Sequence, residues 1–474
     1  MVAVRHTLIL DIGKTNAKLL LISEAGDVLA RQAVVNEPVL GANYLELGVK
    51  ALQAWLLRTI PLLPERERIA HISISTHGAA FCAIDGERLV LPPMDYEWDG
   101  YGVHRSAFHR LADGFGATGS PELPLGLNAG LQLYWLQRTQ PAAWQRIRHW
   151  LPYPQYWAWW LSGVAASEVS SLGCHTHLWS PRRQQPAPWT RRAGIADLFA
   201  PLKKAWEVLG PLKPELAARL QLPATCEVHV GVHDSNACLA RHLHAVPNGT
   251  VVSTGTWCVI MAPGAAADSL TPDRDELVNV SVEGQPVPTA RFMGGREFAV
   301  LCDGVDPALA TPAALGEVLN QGWGATPCFS QAGGPYQGRP GQVWQRYQAL
   351  AAGISGVPAH LRPALAALYC ADITAELVRS LDTADAPSPP VVLEGPLAGN
   401  AVYTSALSAL LLGRVLLRST DALEGTARGA WMLTDWPARA ALSGWCESLP
   451  SVEPGLQQSL LDYRLRRLAL TVTP

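Results

Sequence analysis

Charge is what this sequence is short of. Only 16% of its 474 residues are Asp, Glu, Lys or Arg, the formal net charge is −3, and no basic block occurs. Such a chain lacks the clustered Lys and Arg that nucleic acid or an anionic membrane surface requires. Cysteine is also sparse and unpatterned: there are nine, an odd number, with no Cys-x-x-Cys pair, which reads as reduced thiols rather than a disulfide framework. No apolar run approaches the roughly 20 residues of a membrane span; stretches such as 406–412 are interrupted well short of it. The opening, MVAVRHTLIL, has no leader-peptide layout and reads directly as strand, so a cytoplasmic location is the expectation.

What is present is apolar bulk. Hydrophobic residues make up 48% of the chain, the level of a well-packed globular protein. A chain this long exceeds one ordinary core, and two domains of about 200 residues or more are expected. The character resets after Pro247-Asn248-Gly249, which places the expected division between 1–245 and 246–474.

Residues 7–22 read TLILDIGKTNAKLLLI. Two short apolar runs flank an acid and a small polar turn, the pattern of two buried strands joined as a hairpin. The string contains GKT, but it is not a P-loop: that motif needs a glycine five positions before Gly13, where Leu8 stands, and a helix afterwards. GDVLARQAVV continues as a third strand. Tyr44 to Thr59 reads as a helix, 69–85 as strand, polar turn and strand, 90–105 as loop, and 129–163 as helical. Residues 180–190, rich in Pro, Arg and Gln, read as a surface loop, and 227–243 as strand, loop and helix. About 240 residues after the first hairpin, TVVSTGTWCVIMAP (250–263) repeats the same device. A Pro-rich linker at 386–390, a strand in VVLEGP, a helix from Ala401 to Leu412, another beginning near Leu423 and a final amphipathic helix, Leu456 to Leu470, complete the chain.

Seventeen tryptophans concentrate in WLPYPQYWAWWLSG (150–163). Trp157, Trp160 and Leu161 fall at helical spacing, which favours a buried helix face over a sugar-stacking platform. Cys174-His175-Thr176-His177 has metal-ligating residue types, but neighbours in a strand point to opposite faces and no second pair lies at a zinc-like spacing.

The two polar tips suggest a nucleotide whose phosphates lie between two related lobes. Gly13, Lys14, Thr15 and Asn16 form one tip, and Ser253, Thr254, Gly255 and Thr256 the other; exposed backbone amides and hydroxyls at such turns bind oxyanions. Gly395 and Asn400 directly follow a strand and suit a nucleoside pocket. Asp11 offers the oxygen ligand that Mg²⁺ requires. Asp234, in GVHDSNA, sits where a strand meets a helix. One reading makes it an N-cap. The other makes it a carboxylate that accepts a proton from an attacking hydroxyl, at a helix end that favours negative charge.

These segments, in this order, resemble the FGGY carbohydrate kinases of the actin-like ATPase superfamily over nearly the whole chain. DIGKTNAK is similar to the first phosphate loop, STHGAA to the sugar-side His-Gly turn, GVHDSNA to the segment of the catalytic aspartate and STGTW to the second phosphate loop. MGGRE (293–297) resembles a segment of the subgroup near the rhamnulose and fuculose kinases, and LEGPLAGN and EGTARGA resemble the adenosine-site and C-terminal signatures. The resemblance implies two actin-like (ribonuclease H-like) domains, each a mixed sheet flanked by helices, with the active site in the interdomain cleft. It implies ATP and Mg²⁺, a small ketose or polyol as acceptor, and a homodimer. Residue by residue, it implies Asp234 as general base and Asp11 as organiser of Mg²⁺. Lys14, Thr15 and Asn16, with Gly255 and Thr256, would position the β- and γ-phosphates, and Gly395 and Asn400 would meet the nucleoside. His77 and Gly78 would touch the sugar, with Asp95, Tyr96 and Glu97 nearby. The sugar loop departs from the family's Trp-x-Asp-x-Arg ending: it reads PPMDYEWDGYGVHR, so Asp95 or Asp99 aligns. The rival readings are an actin-like kinase for an aldose, amino sugar or non-sugar, an actin-like nucleotide-dependent switch, and a sugar-binding protein without turnover.

Overall fold

The computed structural model describes residues 5–330, 333–382, 389–421 and 425–472. Most of the expected linker at 386–390 and the expected helix start near Leu423 lie outside them. The fold is mixed α/β, and the chain divides into two compact units. The first comprises the chain up to Ala245, Val278–Pro286 and the stretch ending at Leu442. The second comprises Val246–Leu277, the stretch beginning at Val287 and the segment from Ser443 onward.

The first unit is built on a sheet containing β1 (His6–Ile12), β2 (Asn16–Ile22), β3 (Val28–Val35), β4 (Ile69–Thr76), β5 (Val208–Pro211), β6 (Glu227–His229) and β7 (Val232–His233). Their order is β5-β6-β4-β1-β2-β3, with β7 also pairing with β4. Strands β1 and β2 bury both faces: Leu8, Ile9, Leu10, Ile12, Ala17 and Leu19 to Ile22 are all at most 3% exposed. That is why their sequences are continuous apolar runs rather than alternating ones. The hairpin is antiparallel, with Leu10 opposite Leu19 and Asp11 opposite Lys18. Strand β4 runs parallel to β1, with Asp11 beside Ser75 and Ile12 beside Thr76, and β7 runs parallel to β4, with His233 beside Thr76. The carboxyl ends of β1, β4 and β7 therefore finish level with one another.

Helix α1 (Val49–Thr59) starts later than the expected Tyr44, because Leu45–Leu47 instead pairs antiparallel with Pro38–Leu40, and Gly48 separates that strand from the helix. The expected helical span 129–163 is split: a helix at Ala129–Thr139 is followed by a strand, His149–Pro152, which pairs with Phe81–Ile84, and then by α2 (Tyr153–Ser162). Trp157 and Leu161 are buried in α2, as their spacing predicts, and Trp160 is half-buried. The expected surface loop at 180–190 ends inside the core: Trp189 is fully buried, stacks edge-on to Phe108 and donates its indole N–H to the His177 carbonyl at 2.6 Å. His175 and His177 are likewise occupied, against Leu127 O and Pro121 O, and burial pushes His177 down to about 4. Helix α3 (Asp234–Leu243) leads out of β7. Gly429, in the helix Gly425–Met432, presses on it so closely that a Cβ there would lie 1.8 Å from Ala237 O. The 425–430 part of the EGTARGA stretch thus packs against the back of α3.

Six strands of the second unit's sheet lie in the order β10-β9-β8-β11-β12-β13, where β8 is Thr250–Thr254, β9 Cys258–Met261, β10 Pro286–Phe292, β11 Val391–Glu394, β12 Leu416–Ser419 and β13 Cys446–Ser448. The arrangement around β8 repeats that around β1: an antiparallel hairpin whose first strand also pairs parallel with a strand from much later in the chain. Helices α4 (Gly294–Cys302), α5 (Arg362–Ser380) and α6 (Ala401–Leu410) surround it, and the last helix spans Pro454–Val472. No helix among the described residues is long and apolar enough to cross a membrane.

Candidate active site

In parallel α/β sheets, ligands gather beyond the carboxyl ends of the strands, where loops are free to diverge. In the first unit, Asp11, His77 and Asp234 stand at three adjacent strand ends: Asp11 is the penultimate residue of β1, His77 follows β4 and Asp234 follows β7.

The Asp11 side chain is 14% exposed, and its only nearby cation is Lys18, at 4.0 Å across the hairpin, among the described residues. Burial pushes its carboxyl up to about 6; Lys18 opposes this and the charge of Asp234 adds to it. A poorly solvated carboxylate beside a second carboxylate is the donor set a hard divalent cation would relieve.

The tip after Asp11 is held by backbone. Gly13 N–H donates to Asn16 O at 2.9 Å, and Asn36, unremarked in the sequence, donates its side-chain N–H to Gly13 O at 2.8 Å. Thr15 and Asn16 are exposed. Lys14 reaches Asp95 at 2.6 Å and Glu97 at 3.3 Å, and lies 5.4 Å from the Tyr96 ring centre. Asp95 is fully buried, and its other oxygen accepts Glu97 N–H at 2.8 Å. Of the two aspartates left open in the 92–105 loop, Asp95 is the one tied to this tip; Asp99 pairs with Arg105.

His77 lies edge-on to Tyr96 and against Tyr153, with ring centres 5.8 and 5.4 Å away. Its Nδ1 is 2.9 Å from Gly78 O and so carries the proton, while Nε2 is buried without a partner among the described residues. Burial holds the imidazole below its ordinary pKa, against the raising effect of the Gly78 carbonyl and of Asp234. A neutral ring with an unpartnered buried lone pair is an acceptor waiting for a donor.

Asp234 is the first residue of α3, and the cap position is His233. The N-cap reading therefore fails by one residue. The Asp234 side chain is 31% exposed, and Oδ1 accepts the Ser235 N–H at 2.5 Å. His233, not singled out in the sequence, approaches that oxygen to 3.2 Å through Nε2. Its Nδ1 faces the Asn236 amide at 3.1 Å, which donates to it and leaves the ring proton on Nε2, toward Asp234. Gly78 makes room for this: a Cβ there would come within 2.9 Å of His233 Nε2. The His-Asp adjacency in GVHDSN was the available signal.

In the second unit, Gly255 and Thr256 are exposed at the tip between β8 and β9. The tip is clamped by close backbone approach. A Cβ on Gly295 would lie 2.2 Å from Gly255 O, and one on Gly294 2.3 Å from Cys258 Sγ. The glycines of MGGRE thus let α4 begin directly against the tip. Gly395, with φ +83°, would bring a Cβ to 1.9 Å from Thr254 O. The Thr254 hydroxyl donates to Glu394 O at 2.5 Å and accepts Leu397 N–H at 3.1 Å. Asn400 caps α6, its carbonyl oxygen accepting the N–H groups of Val402 and Tyr403 at 3.0 Å each.

Comparison with known proteins identifies the family. Residues 247–442 match the carbohydrate kinase FGGY C-terminal domain. The crystal structure of a carbohydrate kinase from Novosphingobium aromaticivorans is 32% identical, covers 99% of this chain and 100% of its own, and superposes with a TM-score of 0.85. The chain belongs to the FGGY carbohydrate kinase family. Its sheets accordingly have the actin-like ATPase fold of that family. Among curated FGGY relatives, an L-fuculokinase of Escherichia coli (strain K12) is 24% identical over 278 residues, 55% of this chain and 57% of that protein, so the match spans little more than half of each. The ligand-bound xylulose kinase of Lactobacillus acidophilus has the same FGGY fold, with a TM-score of 0.78 at 13% identity over 99% of both chains.

Proposed function

We propose that this FGGY chain is an ATP-dependent carbohydrate kinase that transfers the γ-phosphoryl group to a hydroxyl of a small ketose or polyol of the rhamnulose, fuculose or xylulose kind. The observation that carries this reading is the gathering of Asp11, His77 and Asp234 at adjacent strand ends, with His77 Nε2 buried and unpartnered. The names of its relatives, L-fuculokinase and xylulose kinase among them, support a sugar acceptor.

In this reading Asp234 accepts the proton of the attacking hydroxyl as its oxygen bonds to the γ-phosphorus and the bond to the ADP oxygen breaks. Phosphoryl transfer asks the protein mainly for positioning and charge compensation. His233 and Ser235 hold the Asp234 carboxylate in one orientation. His77 accepts a hydrogen bond from a sugar hydroxyl through Nε2. Lys14 sits between the acceptor loop, through Asp95 and Glu97, and the tip where Thr15 and Asn16 offer donors to phosphate. Gly255 and Thr256 offer backbone and hydroxyl donors to phosphate from the second tip, and Gly395 and Asn400 border the nucleoside. Asp11 is the residue that would hold Mg²⁺, which neutralises charge on the phosphates when bound.

The test is ADP release with Mg²⁺ATP across L-rhamnulose, L-fuculose, D- and L-xylulose, D- and L-ribulose, D-fructose, glycerol and erythritol, with Asp234→Asn alongside. Sugar-dependent release lost in the variant is the expected result. Release without sugar dependence, equal in both proteins, would instead indicate a nucleotide-dependent switch.

A further inference from the structure

Toward the amino end of β4, away from Asp11, His77 and Asp234, lies a cluster on β4 and β6 that phosphoryl transfer does not use. Strand β6 reads Glu227-Val228-His229, so the two-residue period of a strand puts Glu227 and His229 on one face. The parallel register sets His71 of β4 directly beside Glu227. Three ligand-type side chains, from two segments more than 150 residues apart in sequence, thus converge on one spot.

Their atoms converge as well. His71 Nδ1 is 3.4 Å from Glu227 Oε2 and 3.2 Å from His229 Nε2, and the three ligand atoms lie within 4.8 Å of one another. Ligands on a tetrahedral zinc ion, at about 2.0–2.1 Å from the metal, stand roughly 3.3–3.4 Å apart. The tautomer of His229 suits the role. Its Nδ1 is 3.1 Å from Trp206 O and donates to that carbonyl, which leaves the Nε2 lone pair aimed at the cluster. A ligating imidazole tied through its other nitrogen to a carbonyl is the usual support for a metal-bound histidine. His229 is buried, the His71 side chain is 16% exposed and Glu227 41%, so the cluster is anchored on one side and open to water on the other.

We propose that His71, Glu227 and His229 form a second metal site, for a divalent transition ion of borderline softness with zinc as reference, water completing the coordination. The nitrogen donors separate it from the hard-cation chemistry expected at Asp11. Arg439 acts on both histidines as a cation, and His71 also feels Arg5 as a cation and Asp435 as an anion. The two guanidiniums weaken binding relative to a closed four-ligand zinc site, and micromolar affinity is expected. The ion would staple β6 to β4.

The test uses the full chain, stripped with a chelator and dialysed, with Mg²⁺ saturating. Zn²⁺ is titrated against a chromophoric chelator, and Co²⁺ is followed by absorption. One micromolar equivalent is expected, with Co²⁺ bands of nitrogen and oxygen ligation and no thiolate charge transfer. Glu227→Gln, at the exposed rim, weakens binding at least about tenfold, and His71→Gln removes it. Cys446→Ser, at the one cysteine that is not buried, leaves it intact. Zinc should raise the melting temperature of the parent and not that of Glu227→Gln. No zinc bound at micromolar concentration, binding unchanged in Glu227→Gln, or a thiolate signature would each overturn the proposal.

Discussion

The two hairpin tips have the same topology and opposite construction. The first is ionic: Asp11 lies poorly solvated at its base, and Lys14 is pinned between Asp95 and Glu97. The second carries no ionisable side chain from Ser253 to Thr256, and its form comes from glycines where backbone meets backbone. One tip presents side-chain charge, the other exposed glycine and threonine. Substitutions should therefore separate them: charge changes hurt chemistry at the first, and added carbon hurts folding at the second.

The largest expected effect is on the charged side. Asp234→Asn should lower sugar-dependent turnover by about 10²–10⁴-fold with nucleotide affinity little changed, read by steady-state ADP release and by nucleotide titration. On the second side, Gly395→Ala meets Thr254 O and an unfavourable φ together. It should cost about 3 kcal/mol or more, seen in denaturant unfolding, with any folded fraction keeping Asp234-dependent chemistry. A small loss there would break the comparison.

Lys14→Met leaves Asp95 buried without its cation. The expected cost is about 2–3 kcal/mol, below that of a fully buried pair because the Lys14 side chain is 16% exposed. The double variant Lys14→Met, Asp95→Asn should recover most of that stability without recovering activity, and a double-mutant cycle measures this.

Asp11 gives the pH signature. Its folded pKa, about 6, lies above the ordinary 3.8, so the folded state binds the proton more tightly. Its contribution is fully present below about pH 4 and is lost as pH rises through about 6, a change on the order of 2–3 kcal/mol. Asp11→Asn should thus be more stable than the parent at pH 7 to 8, with the gap closing toward pH 4, while its activity falls. A variant no more stable at neutral pH would show that Asp11 is better solvated than its burial indicates. The smallest effect is Asn400→Ala, about 1 kcal/mol for a lost helix cap. A much larger rise in the KM for ATP than that loss accounts for would give Asn400 a role beyond capping.

The hairpins were legible because strands buried on both faces have no polar residues to spare, and LILDI, KLLLI and TVVST are unbroken except at their tips. Asp234 was legible as a residue at a strand-to-helix junction, but not as the first helical residue, since a single position of offset separates that place from the cap. Partnerships across the chain were hidden. Nothing local joins Lys14 to Asp95, or His71 to Glu227, because strand register is set by the packing of whole sheets. Trp189 was misplaced for a related reason: its polar neighbours argued for surface, while the Phe108 ring that receives it lies far away in sequence.

The close seat of Gly429 on Ala237 also bears on how the protein is made. The helix that backs α3 comes from the far end of the chain, so the first unit lacks part of its wall until residue 442 has left the ribosome, about 200 residues after Ala245. At usual synthesis rates that is a wait of roughly 10–40 s, during which the face of the nascent α3 that receives Gly429 lacks its cover. Cutting the gene after codon 245 would make that wait permanent. Adding both the Val278–Pro286 and the 425–442 stretches to such a fragment would restore the segments of the first unit that it lacks.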